Sequence, residues 1–328
     1  MRFKTLAAVA AAAALAATGC QAPGTTAGTE EAGNFEDLRI MVPNSPGGGY
    51  DTTARTAAQV MAAENLTPPL EVFNLDGAGG TVGLSRTANE EGNGNLTMLM
   101  GLGVVGAVYT NDSASTLGDT TPIARMVSEP ETIVVHANSP YDSLEELVRD
   151  WKADPGEMPV GGGSSPGGPD HLAPHMLAQE VGIKPADVNY VSYDGGGPLL
   201  AALLGKEVDF AVTGVGEIRD QIDSGAVKVL GITSAERLPG LDAPTLIEQG
   251  IDLEFINWRG LVAPPGIADA QRDALVKLVE DLFKTQGWKD AMAKNGWSNA
   301  LLTGEEFGRY IDSENQRVKD ILGQLGLV

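Results

Sequence analysis

The chain has 328 residues and a formal charge of −22, with 42% hydrophobic and only 5% aromatic residues. That length accommodates one domain or two. The acidic balance argues against nucleic acid, which needs a basic footprint, and against electrostatic binding to an anionic membrane surface. An anionic ligand stays open, because a few local donors outweigh distant screened charges.

The N-terminus reads as an export signal. Arg2 and Lys4 form a short positive region, and Leu6 to Ala17 is an apolar run too short to span a bilayer. Thr18-Gly19-Cys20 then resembles a bacterial lipobox, with the only cysteine as the lipidation site, although Ala17 stands where leucine is commoner. A plain cleaved secretory signal is the alternative. The expected division is a signal over residues 1–19 and a tether over 20–35, rich in Gly, Thr, Ala and Glu. No other run is long enough for a transmembrane helix, so the expected location is extracytoplasmic, with the membrane touched only through the lipid.

Strand and helix signals alternate from residue 38. Leu38 to Val42 is a strand that enters a glycine corner, Pro43-Asn44-Ser45-Pro46-Gly47-Gly48-Gly49-Tyr50-Asp51, followed by a helix with Ala54, Ala57, Ala58 and Met61 on one face. Three successive glycines permit a tight turn, and free amides at a helix start favour an anion. An ordinary loop with Asp51 as helix cap is the competing explanation. Leu70 to Asn74 enters a second corner, Asp76 to Gly80. Leu96 to Met100 enters a third, Gly101 to Gly106. Three consecutive βα units imply a parallel sheet with all three corners at the same strand ends, where such sheets bind ligands.

Ile123–Val127 and Thr132–His136 read as two extended segments with Pro130 between them. Ser143 caps a helix over Leu144 to Trp151. A fourth corner, Gly161 to Gly168, leads into helix Pro169–Val181. A fifth, Asp194 to Pro198, follows strand Asn189–Tyr193, and a sixth, Thr213 to Gly216, follows Val208–Val212. Val227–Thr233 and Phe255–Ala263 are further strands. The remainder reads as helical: 269–284, 288–295 and 305–322, the last opened by a Thr303-x-x-Glu306 capping box. The expected fold class is α/β, in two lobes of mainly parallel sheet flanked by helices, facing each other as a clamshell.

Three motifs invite catalytic readings. Gly163-x-Ser165-x-Gly167 matches a nucleophile elbow, but the triad needs a histidine late in the chain, and there is none. Gly101-x-Gly103-x-x-Gly106 matches a dinucleotide fingerprint, but no strand-end acid follows at the required distance. His171 and His175 have metal-ligand spacing on one helix face, yet lack a third ligand, so packing or loop anchoring fits better. What remains is a set of backbone donors and hydroxyls suited to a carboxylate: Ser45, Gly47, Gly48, Tyr50, Gly77, Ala78, Gly79, Gly80, Ser164, Ser165, Tyr193, Gly195, Gly196 and Thr213.

As a set these segments resemble a known family. Pro46-Gly47-Gly48-Gly49-x-Asp51-x-x-Ala54-Arg55, Asn74-x-x-Gly77-Ala78-Gly79-Gly80-x-x-Gly83, the corner from Gly161 to His171, Tyr193-x-Gly195-Gly196, and Trp258-Arg259-Gly260-Leu261-Val262-Ala263-Pro264-Pro265-Gly266 resemble motifs of the substrate-binding receptors of tripartite tricarboxylate transporters, the TctC or Bug family. The likeness spans nearly all of 36–328. It implies a type II-like periplasmic-binding-protein clamshell, with 36–136 and 259–328 in one lobe, 137–258 in the other, and hinge strands crossing between them. It implies no catalysis, no cofactor and no metal, and an organic di- or tricarboxylate held by corner amides, with Gly49, Gly103 and His171 joining the residues above and Asp51 placed to meet a donor or water on the ligand or merely to cap its helix. It also implies a monomer serving one large and one small membrane subunit. A ligand-presenting sensory receptor and, further off, a secreted hydrolase on Ser165 are the alternatives. Asn44-Ser45, Tyr50 and the lengthened Pro166-Gly167-Gly168-Pro169 corner depart from the usual pattern and bear on which ligand binds.

Overall fold

The computed structural model describes residues 35–328. The export signal, Cys20 and all of the expected tether before Phe35 lie outside the described residues.

Two groups of parallel strands grow from alternating βα units. In the first, β1 (Arg39–Val42) leads to α1 (Gly49–Ala63), β2 (Glu71–Asn74) to α2 (Thr81–Asn89), and β3 (Leu96–Gly101) to α3 (Leu102–Thr110). β1 lies between β2 and β3 and runs parallel to both, with Met41 opposite Phe73 and Met98. All three strands therefore deliver their corners to one edge. In the second group, β5 (Val160–Gly162), β6 (Tyr190–Ser192) and β7 (Phe210–Gly214) are parallel and lead into α5 (Pro169–Glu180), α6 (Gly196–Gly205) and α7 (Val215–Asp223).

Two strands knit these groups together. β4 (Thr121–His136) and β9 (Ile256–Ala263) are antiparallel to each other and to their other neighbours, giving the order β2-β1-β3-β9-β4-β7-β5-β6. The two extended segments expected around Pro130 are thus one 16-residue strand. The proline does not break it, because Pro130 stands where the ladder changes partners. Up to Pro130 the strand pairs with β9, and beyond it with β7 over Glu131 to Val134 and, on the other side, with β8 (Val227–Ile232) over Thr132 to His136. A missing N–H is tolerated at such a junction.

Ser143 caps α4 (Leu144–Ala153) with a reciprocal box to Glu146, as its spacing requires. The box expected at Thr303 does not form. Thr303 precedes α10 (Gly304–Gln324) without a side-chain bond to it. After α8 (Asp269–Lys284) and α9 (Gln286–Asn295), the short strand β10 (Ser298–Thr303) fills the gap between the last two expected helices, in a stretch where only helices are expected. Its pairing with β4, at Asn299 opposite Val127 and Thr303 opposite Ala124, outweighs its weak local preference. α10 returns to β9 through a buried bond from the Trp258 indole N–H to Glu314, 2.8 Å, with Arg317 closing on the same carboxylate. Among the described residues no helix is long and apolar enough to cross a membrane.

Candidate functional site

The first and fourth corners repeat one geometry. Pro46-Gly47-Gly48-Gly49-Tyr50-Asp51 and Pro166-Gly167-Gly168-Pro169-Asp170 each place a positive-φ glycine (Gly47 +91°, Gly167 +88°) before an extended one (Gly48 −77°, 173°; Gly168 −79°, 170°) that starts a helix. In each, the aspartate of the first helical turn reaches back to a corner amide. Gly47 N–H donates to Asp51 Oδ2 at 2.9 Å, and Gly163 N–H to Asp170 Oδ2 at 2.7 Å. A side chain at Gly47 or Gly167 would be strained by its φ alone, which accounts for the glycines.

The two corners face each other across a cleft with about 80 Å³ reachable by a water centre, room for several waters or a small organic acid. The first strand group contributes Gly48, Gly49, Tyr50, Asp76, Gly79 and Gly103 to its walls. The second contributes Ser164, Ser165, Asp170, Tyr193, Gly195 and Glu217. At the rim, Ser45 Oγ meets Asp76 (3.2 Å) from the second corner and Asp194 from the fifth, so one hydroxyl joins three loops.

Several residues expected at a ligand sit behind the wall. Asp51 is buried and fully engaged by Gly47, Arg55 and Asn74. Burial pushes its carboxyl up, but those hydrogen bonds bring it below the usual carboxylate range. It holds the loop whose backbone lines the cleft. Gly77 packs on Val82, and Gly80 on Val104 and Pro43; Ala78 caps the turn by accepting from the Thr81 hydroxyl. Gly196 and the Thr213 hydroxyl both abut Glu217. His171 accepts the Gly167 amide at 3.1 Å, packs its ring against the tilted His175 ring and edge-to-face on Tyr190, and is held neutral, at about 3, by burial and then by His175. It anchors the fourth corner. Among the described residues no group of three or more His, Cys, Asp or Glu could hold a metal. Ser165 has no hydrogen bond to a histidine, and Gly101, Gly103 and Gly106 serve close packing against Trp258, Tyr50 and Gly167.

The floor holds residues that sequence reasoning passed over. Asn257 and Arg259 are two apart on β9, and Glu129 and Glu131 two apart on β4, so each pair shares a sheet face. Asn257 and Glu129 lie directly opposite in the ladder. Arg259, 3% exposed, pairs with Glu129 and reaches Thr53 at 3.4 Å and Glu217 at 3.9 Å. It lies against Gly49, at the positive end of α1, where a cation is disfavoured without carboxylates around it. A lone arginine in an apolar strand and a Glu-x-Glu pair in a buried run were the available signals.

Burial pushes the Glu217 carboxyl up to about 8, reinforced by Asp170 and opposed by Arg259; Glu129 adds to the rise and the Gly49 amide opposes it. Burial likewise raises Asp170 to about 6, and Glu131 well above the carboxylate range. Tyr50, beneath the third corner, is pushed up to about 12 by burial. The protonated Glu217 is the form the fold prefers, so the folded chain holds more protons than the unfolded one between the ordinary 4.5 and about 8. Its stabilising share is whole below 4.5 and is lost as pH rises through about 8. Glu217→Gln, which mimics the protonated state, is therefore expected to flatten the fall in stability between about pH 5 and 8 and to raise stability at the alkaline end. Urea melts across that range check this. A wild-type stability rising with pH there, or an unchanged slope in the variant, contradicts it.

A cleft between the glycine corners of two α/β strand groups, joined by crossing strands, is the architecture of a periplasmic binding protein. The structure of the periplasmic binding protein BugD superposes with a TM-score of 0.78 at 26% identity, over 88% of this chain and 97% of that one. The model of the tripartite tricarboxylate transporter family receptor matches residues 53–327, and the chain belongs to that family. It is therefore a solute-binding receptor and not an enzyme. Protein BugT of Bordetella pertussis is 27% identical over 88% of this chain and 89% of its own length. MatC from Rhodopseudomonas palustris, solved with bound malate, shares the fold at a TM-score of 0.77 and 24% identity, over 87% of this chain and 98% of that one.

Proposed function

We propose that this receptor works outside the cytoplasm, captures a small organic di- or tricarboxylate in the cleft, and delivers it to a permease of one large and one small membrane subunit. The observation that carries this reading is the pair of matching corners. Both present glycine backbone and hydroxyls to one small space, and fixed amides at helix starts favour an anion without any nucleophile or titrating base. Malate in the MatC site supports the ligand class. Anchoring through a lipid on Cys20 belongs to the same proposal. So does a division into two jaws, 36–136 with 259–328 and 137–258, which close on the ligand about β4 and β9.

A thermal-shift screen of citrate, tartrate, succinate, aromatic carboxylates and acidic amino acids tests it. A ligand that binds only the folded state at about 100 times its Kd adds about 2.7 kcal/mol, which moves the melting midpoint visibly. At least one carboxylate should do so. Stabilisation by neutral sugars or cations alone, with none by carboxylates, sinks the proposal.

A further inference from the structure

The charges around the cleft are the wrong sign for a ligand that is acidic at every end. Asp76, Asp170, Asp194 and Glu217 line it, against Arg259 as the one basic side chain among the lining residues. Arg259 is already engaged by Glu129 and Glu217. Glu217 also sits at the start of α1, close to Gly49, where an incoming carboxylate would otherwise go. The partnerless buried atoms at the cleft and just behind it point the same way. Asn257 is 5% exposed, lines the cleft, and its Oδ1 accepts nothing. Asn44 Oδ1, also in the wall, accepts nothing, and behind the floor neither do Glu129 Oε2 or either oxygen of Glu131. All are acceptors. Buried acceptors left empty cost stability until a donor meets them.

Resting on the receptor reading above and narrowing it, we infer that the ligand is a small carboxylate carrying a protonated amine. Its carboxylate meets the amides and hydroxyls of the glycine corners, and its ammonium meets Glu217 and Asn257 at the floor. An ammonium has three donors and no acceptor, which suits that set of oxygens. A second or third carboxylate at the same place faces Glu217 and Asp170 instead. Glu217 and Asn257 are then the residues that set specificity.

The groups facing Glu217 are the Gly49 amide of α1, Arg259 of β9, Glu129 and Glu131 of β4, Asp170 of α5, Gly196 of α6 and Thr213 of β7. An ammonium among them favours the ionised Glu217. Affinity for an amino-carboxylate should therefore rise between about pH 6 and 8.5, while that for the matching plain acid should not.

Calorimetric titration of the full-length protein with matched pairs decides the matter: succinate and aspartate, glutarate and glutamate, butyrate and 4-aminobutyrate. In at least one pair the amine member should bind about tenfold tighter or more, as expected for one added charge-assisted contact. Glu217→Gln should shrink that gap to about threefold or less. Plain acids equal or tighter in every pair overturn the inference and leave the receptor reading standing. A preference unaltered by Glu217→Gln overturns the role given to that residue. If no carboxylate binds, with or without an amine, the receptor reading fails and the inference falls with it. Should the variant fold poorly, the matched pairs on the native protein decide alone.

Discussion

Replacing Arg259 with methionine is expected to cost about 3–5 kcal/mol of folding stability, the usual consequence of removing one partner of a buried ion pair. The guanidinium is enclosed, Glu129, whose Oε1 it meets, is 1% exposed, and Glu129 Oε2 has no hydrogen-bond partner. Without the cation that carboxylate is stranded with Glu131, Asp170 and Glu217 close by, all competing for protons in a low-dielectric space. Removing the charge on both sides should undo much of the damage, since a buried pair contributes little beyond cancelling its own desolvation. The double variant Arg259→Met, Glu129→Gln is therefore expected to recover more than half of the loss. Urea denaturation of the three proteins at constant slope measures this. A single-variant loss below about 1 kcal/mol would mean that the floor is wetter than the structure has it.

Gly106→Ala should weaken ligand binding by about tenfold to a hundredfold, although alanine is the better helix former by about 0.5–1 kcal/mol. Gly106 lies in α3, with its Cα side against the fourth corner. A Cβ there would stand 2.9 Å from Gly167 Cα and nearer still to the Gly167 carbonyl. The Thr110 hydroxyl, one turn on, donates to Pro166 at 2.9 Å and keeps helix and corner together. Backbone cannot yield as a side-chain tip can, so overpacking of about 1–3 kcal/mol must be relieved by moving α3 away from the corner. That motion separates Gly79 and Gly103 from Ser164 and Ser165, the walls between which the ligand would sit. Binding should suffer more than stability, since parting the corners relieves the strain without unfolding either strand group. Calorimetry with the strongest ligand, set beside a melt, distinguishes the two. Unchanged affinity would show that the approach of α3 to the fourth corner is irrelevant to binding.

The elements that could be read from sequence were those with strong local rules. Alternating βα units, glycines at strand ends and the Ser143 box all depend on near neighbours. The elements that could not were set by distant partners. β10 exists because β4 offers it a ladder. Pro130 reads as a break until its place between two pairing partners is seen. The site divides in the same way. The walls, Gly48, Gly49, Tyr50, Gly79, Gly103, Ser164, Ser165, Tyr193 and Gly195, could be read because glycine corners are visible in a sequence. The floor could not, because Glu217, Asn257 and Arg259, with Glu129 behind them, come from three separate elements and meet only through strand register and helix placement. Asp51 shows the limit most clearly. Its motif position marks it as important, but only the bonds to Gly47, Arg55 and Asn74 show that it holds the loop from behind.

A crystal structure with the strongest carboxylate bound bears on all of this at once. The ligand should lie between the first and fourth corners, its carboxylate oxygens about 2.7–3.2 Å from amides or hydroxyls of both strand groups. A ligand seated elsewhere on the surface, or held by one strand group alone, would contradict a receptor that closes two matching corners on its solute.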